Sequence, residues 1–182
     1  MAAAIDRYGR IDVVFNNAGI ESEQQPLHEM SIENWDRVTR VNGSGAFHVL
    51  KYGIAALLES GGGSVVNMAS ETALSGHPNL SPYTFAKAGL VGLTRSAAIE
   101  YADRGIRVNA VAPTAVMTPL VRRHIEQAPD PAAMRALVEG LNPMPGIPEP
   151  SDVAGVVAFL ASDDARWITG VTIPIDGGRS AG

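Results

Sequence analysis

The chain has 182 residues, of which 46% are hydrophobic and 18% are charged, and its formal net charge is −5. This balance indicates a single globular domain and excludes a disordered segment, which would combine low hydrophobicity with high net charge. The chain has no cysteine, which excludes disulfide scaffolds, thiolate metal sites and a catalytic thiol.

The composition argues against a nucleic-acid partner and against a membrane partner. The mild acidity and the scattered Lys and Arg residues do not suit a nucleic-acid binder. No apolar run approaches the ~20 residues needed to span a bilayer. The first residues lack the basic region and long apolar run of a secretion signal. We therefore expect a cytoplasmic protein with no membrane and no nucleic-acid partner.

Short segments rich in β-branched residues alternate with longer segments of helical spacing. This alternation is typical of a parallel sheet whose strands are joined by crossover helices. The first two predicted strands are nearly continuous apolar runs, as expected when helices cover both faces of a sheet. The predicted strands are residues 11–15, 63–68, 106–111 and 170–175.

The first long helix is predicted between the first two strands. Ser31 is a suitable cap for a helix that continues toward Leu58. Gly43 and Gly45 lie in the middle of this segment, so we expect the helix to bend there.

Two further long helices are predicted later in the chain. One begins at Ser81, a capping residue followed by proline at the first helical position, and ends near Ala102 with Gly105 as its stop. The other follows Pro150 and has apolar residues at helical spacing. The proline-rich residues 113–150 are predicted to leave the sheet as a lid or binding segment with one or two short helices.

The helix predicted from Ser81 carries a candidate catalytic pair, Tyr83 and Lys87. Residues four apart lie on one helical face, so the phenol and the ammonium can reach the same small volume. A phenol titrates near ~10, and a neighbouring cation favours its phenolate, which makes tyrosine useful as an acid or a base. Taken alone, such a pair also fits an ordinary helix surface.

Ser70 follows the second predicted strand, near the carboxyl ends of the strands, where ligands collect in an open parallel sheet. A hydroxyl there could donate a hydrogen bond to a carbonyl oxygen as negative charge develops on it. An isolated serine in this place also fits a turn cap.

Two further features contribute amides to the same region. Asn16, Asn17 and Gly19 follow the first strand, where they either allow close approach of a ligand to the backbone or form a simple turn. Asn42 interrupts a helical segment beside Gly43, and a local disruption there can free a backbone carbonyl.

Together these residues resemble the short-chain dehydrogenase/reductase family in its single-domain form with a Tyr-xxx-Lys centre. The resemblance covers nearly the whole chain, and Tyr83 follows Ser70 by 13 residues, the usual separation in the family. The motifs that carry it, in chain order, are Asn16-Asn17-Ala18-Gly19, Val41-Asn42, Ser70, Tyr83 with Lys87, residues 107–113, and Ile175-Asp176-Gly177-Gly178.

The resemblance implies NAD(P)-dependent hydride transfer between a small-molecule alcohol and a carbonyl compound. In the family's mechanism Tyr83 is the general acid or base, and Lys87 lowers its pKa and holds the nicotinamide ribose. Ser70 polarises the substrate carbonyl, and Asn42 supports a water of the proton relay through its backbone.

The resemblance also implies a cofactor site for NAD or NADP, without a metal ion. Residues at the end of the first strand line the adenosine side, and residues after the third strand hold the carboxamide. The implied cofactor-binding residues are Asn16, Ala18, Gly19, Tyr83, Lys87, Pro113, Val116 and Thr118. Candidate substrate-lining residues, which also fit solvated loops or core packing, are His77, Met117, Leu120, His124 and Met144.

The sequence departs from the family at its start, where members have a strand, a glycine-rich Thr-Gly-xxx-Gly-x-Gly turn and a helix. Here residues 2–8 correspond to the end of the family's third helix, with Gly9 as its stop. We therefore expect one truncated α/β domain over residues 1–182. It would be a partial Rossmann-like doubly wound parallel sheet of about four strands, without the first βαβαβ half and with the strand at 11–15 exposed at an edge.

Two local features complete the comparison with the family. The glycine run at 61–63 precedes a strand, whereas a phosphate loop follows one, so we exclude it as a phosphate site. Thr114 replaces the glycine that usually follows Pro113, which predicts a perturbed backbone beside the carboxamide site.

Two hypotheses follow. The first is an NAD(P)-dependent oxidoreductase. The second is a non-catalytic fragment that self-associates through the helices at 31–58 and 81–102 and binds no dinucleotide. Both predict a homodimer or homotetramer, and the sequence leaves the substrate and the choice between NAD and NADP open.

Overall fold

The structure is a computed structural model that describes residues 1–181. Its four strands form one parallel sheet in the spatial order β1-β2-β3-β4, the same as their order in the chain. This arrangement confirms the predicted α/β, Rossmann-like fold. The strands are β1 (Val13–Asn16), β2 (Gly63–Met68), β3 (Ile106–Pro113) and β4 (Thr172–Ile175).

Helices cover both faces of this sheet, as in a doubly wound fold. Val65 of β2 lies in a buried cluster with Leu57 and Leu90, whereas its neighbour Val66 lies in a second cluster with Leu160. Adjacent residues of one strand therefore serve opposite cores. The helices are α1 (Ala2–Tyr8), α2 (Ile32–Val38), α3 (Ala46–Ser60), α4 (Ser81–Tyr101), α5 (Pro119–Glu126), α6 (Pro131–Glu139) and α7 (Pro150–Ala161).

The segment predicted as one bent helix consists of α2 and α3 joined by a π-helical stretch, Thr39–Gly45. Ser31 caps α2 as predicted, because its side chain accepts a hydrogen bond from the Asn34 amide at 3.2 Å. The π-helical stretch contains Asn42, so the predicted local disruption is confirmed at that residue.

Several predicted details were wrong; β4, for example, begins at Thr172 and not at Gly170. Ser81 is the first residue of α4 and not its cap; Leu80 occupies the cap position, and the buried Ser81 hydroxyl makes no hydrogen bond within residues 1–181. The first strand begins at Val13, not at Ile11, because the Ile11 amide donates to the Ser60 hydroxyl (3.0 Å) instead of joining the ladder. Gly105 does end the α4 region in a left-handed conformation, with φ of 72°.

The segment after β3 contains two short helices, α5 and α6, as predicted. Each begins with a side-chain cap: Thr118 accepts from the Val121 amide (3.4 Å), and Asp130 accepts from the Ala133 amide (3.0 Å). Proline follows each cap at the first helical positions. Within residues 1–181, no helix has both the length and the apolar character needed to cross a membrane.

A buried chain of side-chain hydrogen bonds links the sheet to α4. Asn16 Nδ2 donates to Asn67 Oδ1 (2.9 Å), and Asn67 Nδ2 donates to Thr94 Oγ1 (2.9 Å). The Thr94 hydroxyl donates to the Leu90 carbonyl at 2.8 Å, and Asn16 Nδ2 also donates to the Ala46 carbonyl at 3.1 Å. We call Asn16, Asn67 and Thr94 the amide chain. It connects β1, β2, α3 and α4 in a region that water does not reach.

The glycine run at 61–63 forms the turn between α3 and β2, which agrees with its exclusion as a phosphate loop. All three residues have positive φ, at 89°, 121° and 149°. A Cβ on Gly63 would overlap the backbone oxygen of Asp12, whereas a Cβ on Gly61 would meet nothing within 4 Å. Gly63 therefore permits the close approach of β1 and β2.

We predict that Gly63→Ala lowers the free energy of unfolding by at least about 3 kcal/mol, since it combines positive-φ strain with a clash against backbone. Gly61→Ala is the matched control and should cost only about 1–2 kcal/mol, from φ alone. Urea unfolding of both variants measures the difference. Equal stabilities would show that close strand approach does not constrain residue 63.

Candidate active site

Two adjoining cavities open where β1, β2 and β3 end. We call the cavity lined by Lys87 the inner cavity; its volume is about 280 Å³. The cavity lined by Ser70 is called the outer cavity and has a volume of about 520 Å³. Tyr83 lines both, at the start of α4. The residues shared by the two walls are Glu21, Tyr83, Thr114, Ala115 and Val121.

Lys87 lies one turn after Tyr83 on the wall of the inner cavity and is only 4% exposed. Its Nζ lies 5.6 Å from the centre of the Tyr83 ring and donates to the Met68 carbonyl at 2.6 Å. Burial lowers the pKa of Lys87 to about 8. Within the described residues its other two protons have no acceptor, so the ammonium can bind a ligand in the inner cavity.

The Tyr83 phenol is held in its neutral form. Burial is the main cause that raises its pKa, and the nearby carboxylates of Glu21 and Glu71 raise it further. The neighbouring Ser70 hydroxyl acts in the opposite direction and lowers the pKa of Tyr83. Tyr83 is therefore a proton donor at neutral pH, and its phenolate needs further stabilisation.

Ser70 is buried on the wall of the outer cavity, directly after β2. Its Oγ accepts a weak hydrogen bond from the Thr72 amide at 3.4 Å, so the turn-cap interpretation is correct. That bond uses the oxygen as acceptor and leaves the hydroxyl proton to be donated. Capping and a role beside Tyr83 are thus compatible.

Asn42 shapes the loop after β1 and lines neither cavity. Its Nδ2 donates to the Ile20 carbonyl and its Oδ1 accepts from the Ile20 amide, both at 2.8 Å. A Cβ on Gly19 would lie 3.2 Å from Asn42 Oδ1, which explains the glycine. The Asn42 side chain therefore holds the backbone of Ile20 through both its N–H and C=O groups.

The other predicted site residues divide into two groups. Val116 and Thr118 line the inner cavity together with Gly19. Asn16 belongs to the amide chain, and the remaining two, exposed Ala18 and buried Pro113, line neither cavity.

The candidate substrate residues are also separated. His77 and His124 line the outer cavity, and Leu120 lines the inner one. Met117 lines neither, and Met144 lines a different cavity.

Thr114 has an ordinary backbone. Among residues 1–181, Asn79 is the one non-glycine residue with positive φ, so threonine fits position 114 without the predicted strain. Its amide donates to the Ile175 carbonyl at the end of β4, at 3.2 Å.

Sequence reasoning missed two carboxylates on the cavity walls, Glu21 and Glu71. Glu21 lies 3.8 Å from the His124 ring, and Glu71 is buried in an ion pair with Arg179. An acidic residue directly after Ser70 was the available signal for Glu71. Within residues 1–181 no three His, Asp or Glu side chains lie close enough to hold a metal ion.

Comparison with known proteins agrees with this geometry. The family model described as enoyl-(acyl carrier protein) reductase matches residues 1–180. Levodione reductase of Leifsonia aquatica is 44% identical over 100% of this chain and 68% of its own length. Cyclohexanol dehydrogenase of Acinetobacter sp. (strain SE19) is 43% identical over 96% of this chain and 66% of its own length. The chain thus spans about two thirds of the length of these curated relatives.

Solved structures give the same result. The crystal structure of levodione reductase superposes with a TM-score of 0.91, covering 99% of this chain and 70% of that one. Carveol dehydrogenase from Mycobacterium avium in complex with NAD is 32% identical, with a TM-score of 0.91 over 100% of this chain and 69% of that one. With a family model matching nearly its whole length and relatives above 40% identity, the chain belongs to the short-chain dehydrogenase/reductase family of oxidoreductases.

Proposed function

We propose that this chain interconverts a secondary alcohol and a ketone with NAD or NADP, and that Tyr83 transfers the proton. The observation that carries the proposal is the position of Tyr83, at the junction of the two cavities with Lys87 on one side and Ser70 on the other. The family relationship supports the same chemistry.

The residues of the inner cavity fit the nicotinamide-ribose end of such a cofactor. The buried Lys87 ammonium has two protons available for ribose hydroxyls, and the missing side chain of Gly19 leaves the wall open. Val116 and Thr118 would hold the carboxamide from the opposite wall. When bound, the nicotinamide would accept or supply the two electrons as a hydride.

The proton step uses Tyr83 and Ser70. In the reduction, the Tyr83 phenol donates its proton to the substrate oxygen while the Ser70 hydroxyl stabilises the developing negative charge. In the oxidation, the phenolate accepts the alcohol proton. Because the pKa of Tyr83 is raised, the free chain is prepared for the reduction at neutral pH. Asn42, through its backbone, would hold a water that returns protons from solvent.

The outer cavity favours a neutral cyclic substrate. Its wall includes the carboxylates of Glu21 and Glu71, and within residues 1–181 no Lys or Arg lines it. A substrate carboxylate would meet like charge at Glu21, whereas the Glu71 charge is paired with Arg179. The name of the cyclohexanol dehydrogenase relative indicates a six-membered ring. We therefore infer a cyclohexanol or cyclohexanone derivative as the substrate.

Self-association through α3 and α4 is part of the proposal. Phe47 and Phe85 are about half exposed beside an apolar cleft between the two helices. Exposed aromatic clusters of this kind are typical of protein interfaces. The non-catalytic alternative predicts the same dimer or tetramer but no saturable binding of NADH or NADPH.

We predict that Tyr83→Phe reduces turnover by about 10²–10⁴-fold, because it removes the proton donor, and that it leaves the Kd for the cofactor almost unchanged. Steady-state kinetics and nicotinamide fluorescence titration measure the two effects. Tyr8→Phe, at a tyrosine of α1 that is 70% exposed, is the control and should behave as wild type. Turnover retained by Tyr83→Phe would refute the proton-transfer role.

Cofactor binding should weaken as the pH rises through about 8, the pKa of Lys87, because the ammonium that binds the ribose is lost. Arginine remains charged in this range, so Lys87→Arg should show a flatter dependence. Fluorescence titrations about one unit below and above that pKa measure both proteins. An identical pH dependence in the two would contradict the role of the lysine charge.

We predict that kcat/KM for cyclohexanone exceeds that for 4-oxocyclohexanecarboxylate by at least about tenfold, since only the second places a negative charge near Glu21, the wall carboxylate that no arginine within residues 1–181 neutralises. Glu21→Gln should narrow the difference. Equal values for the two ketones in the wild-type chain would rule out charge selection by the outer cavity.

A further inference from the structure

Glu71 is a buried carboxylate whose negative charge needs compensation. It follows Ser70 directly, lies on the wall of the outer cavity and is only 5% exposed. A buried carboxylate is costly unless it is paired and hydrogen-bonded. Its charge also acts on Tyr83, which lines the same cavity.

Arg179, from the turn Arg179–Ala181 after β4, provides the compensation. Its Nε lies 3.3 Å from Glu71 Oε2, and the Ser75 hydroxyl donates to the same oxygen at 3.0 Å. Arg179 Nη1 also donates to the Leu141 carbonyl at 3.1 Å. Leu141 also lines the outer cavity, so one guanidinium links two segments of its wall, the one after Ser70 and the one at Leu141.

The backbone that carries Arg179 is itself fixed. The buried Asp176 carboxylate accepts hydrogen bonds from the Gly178 and Ser180 amides, both at 3.0 Å. Burial alone would raise the pKa of Asp176, but these hydrogen bonds lower it overall, so the carboxylate stays ionised. Arg179 is thus held against Glu71 from its own segment.

We propose that Arg179 is a positioning residue for the proton step and acts through Glu71. It neutralises the carboxylate that follows Ser70 and lines the same cavity as Tyr83. This role rests on the proposed function of Tyr83. It concerns residues that the family motifs named above do not include.

The consequence for Tyr83 has a defined sign. Removal of Arg179 leaves the negative charge of Glu71 uncompensated, which disfavours the phenolate and raises the pKa of Tyr83. Removal of Glu71 has the opposite effect. The groups that face Tyr83 from the surrounding elements are Lys87, Ser70, Glu21 and Glu71, with His77 and His124 on the outer-cavity wall.

The test is a direct titration of Tyr83 in the Arg179→Met, Glu71→Gln and double variants. Tyrosinate absorbance is followed against pH, and the same titration with Tyr83→Phe added to each background is subtracted to isolate one of the four tyrosines. We expect Arg179→Met to raise the pKa of Tyr83 by about one unit, Glu71→Gln to lower it, and the double variant to return to within about half a unit of wild type. Arg166→Met, at an exposed arginine, is the control and should cause no shift.

A Tyr83 pKa that is unchanged in Arg179→Met, or a shift that Glu71→Gln does not reverse, would overturn the proposal. If Arg179→Met does not fold, the Glu71→Gln variant is sufficient for the test. A Tyr83 pKa that is not lowered in Glu71→Gln would also overturn the proposal. The titration needs neither cofactor nor turnover. Absence of activity in the wild-type chain would therefore refute the proposed function without changing this result.

Discussion

The amide chain from Asn16 through Asn67 to Thr94 is the constraint on which the position of the site depends. Each buried amide or hydroxyl left without a partner would cost about 1–3 kcal/mol, so the three side chains are satisfied together in one register of α4 against the sheet. Tyr83 lies 11 residues before Thr94, about 16 Å along the same helix. The buried hydrogen bonds therefore decide where the phenol meets the ends of the strands.

The pKa values of Tyr83 and Lys87 depend more on burial than on pairing with other charges. Burial lowers the pKa of Lys87 and raises that of Tyr83, so both groups move toward their neutral forms. The carboxylates of Glu21 and Glu71 add to the effect on Tyr83. The role proposed for Arg179 is to limit this effect through its ion pair with Glu71. Contacts that affect Tyr83 thus connect the end of β2, through Glu71, with Arg179 in the last described turn of the protein.

The fold could be predicted from the sequence because β-branched runs and capping residues are local signals, as the match at β2 and at Ser31 shows. Ser81 was assigned wrongly because a serine before a proline fits both the cap and the first helical position. The buried partners of the Asn16 side chain could not be predicted, since an amide at the end of a strand gives no indication of which way its side chain points. The ion pair of Glu71 with Arg179 joins residues that are far apart in the chain, so no local sequence pattern predicts it.

The central claim is that this chain transfers a hydride between an alcohol carbon and a nicotinamide. The most direct test is to incubate it with cyclohexanol deuterated at the carbinol carbon and NAD⁺ or NADP⁺, and to determine the mass of the reduced cofactor. The account predicts a reduced cofactor that carries the deuterium. A chain that forms no reduced cofactor from either dinucleotide, or forms it without deuterium, would contradict the account.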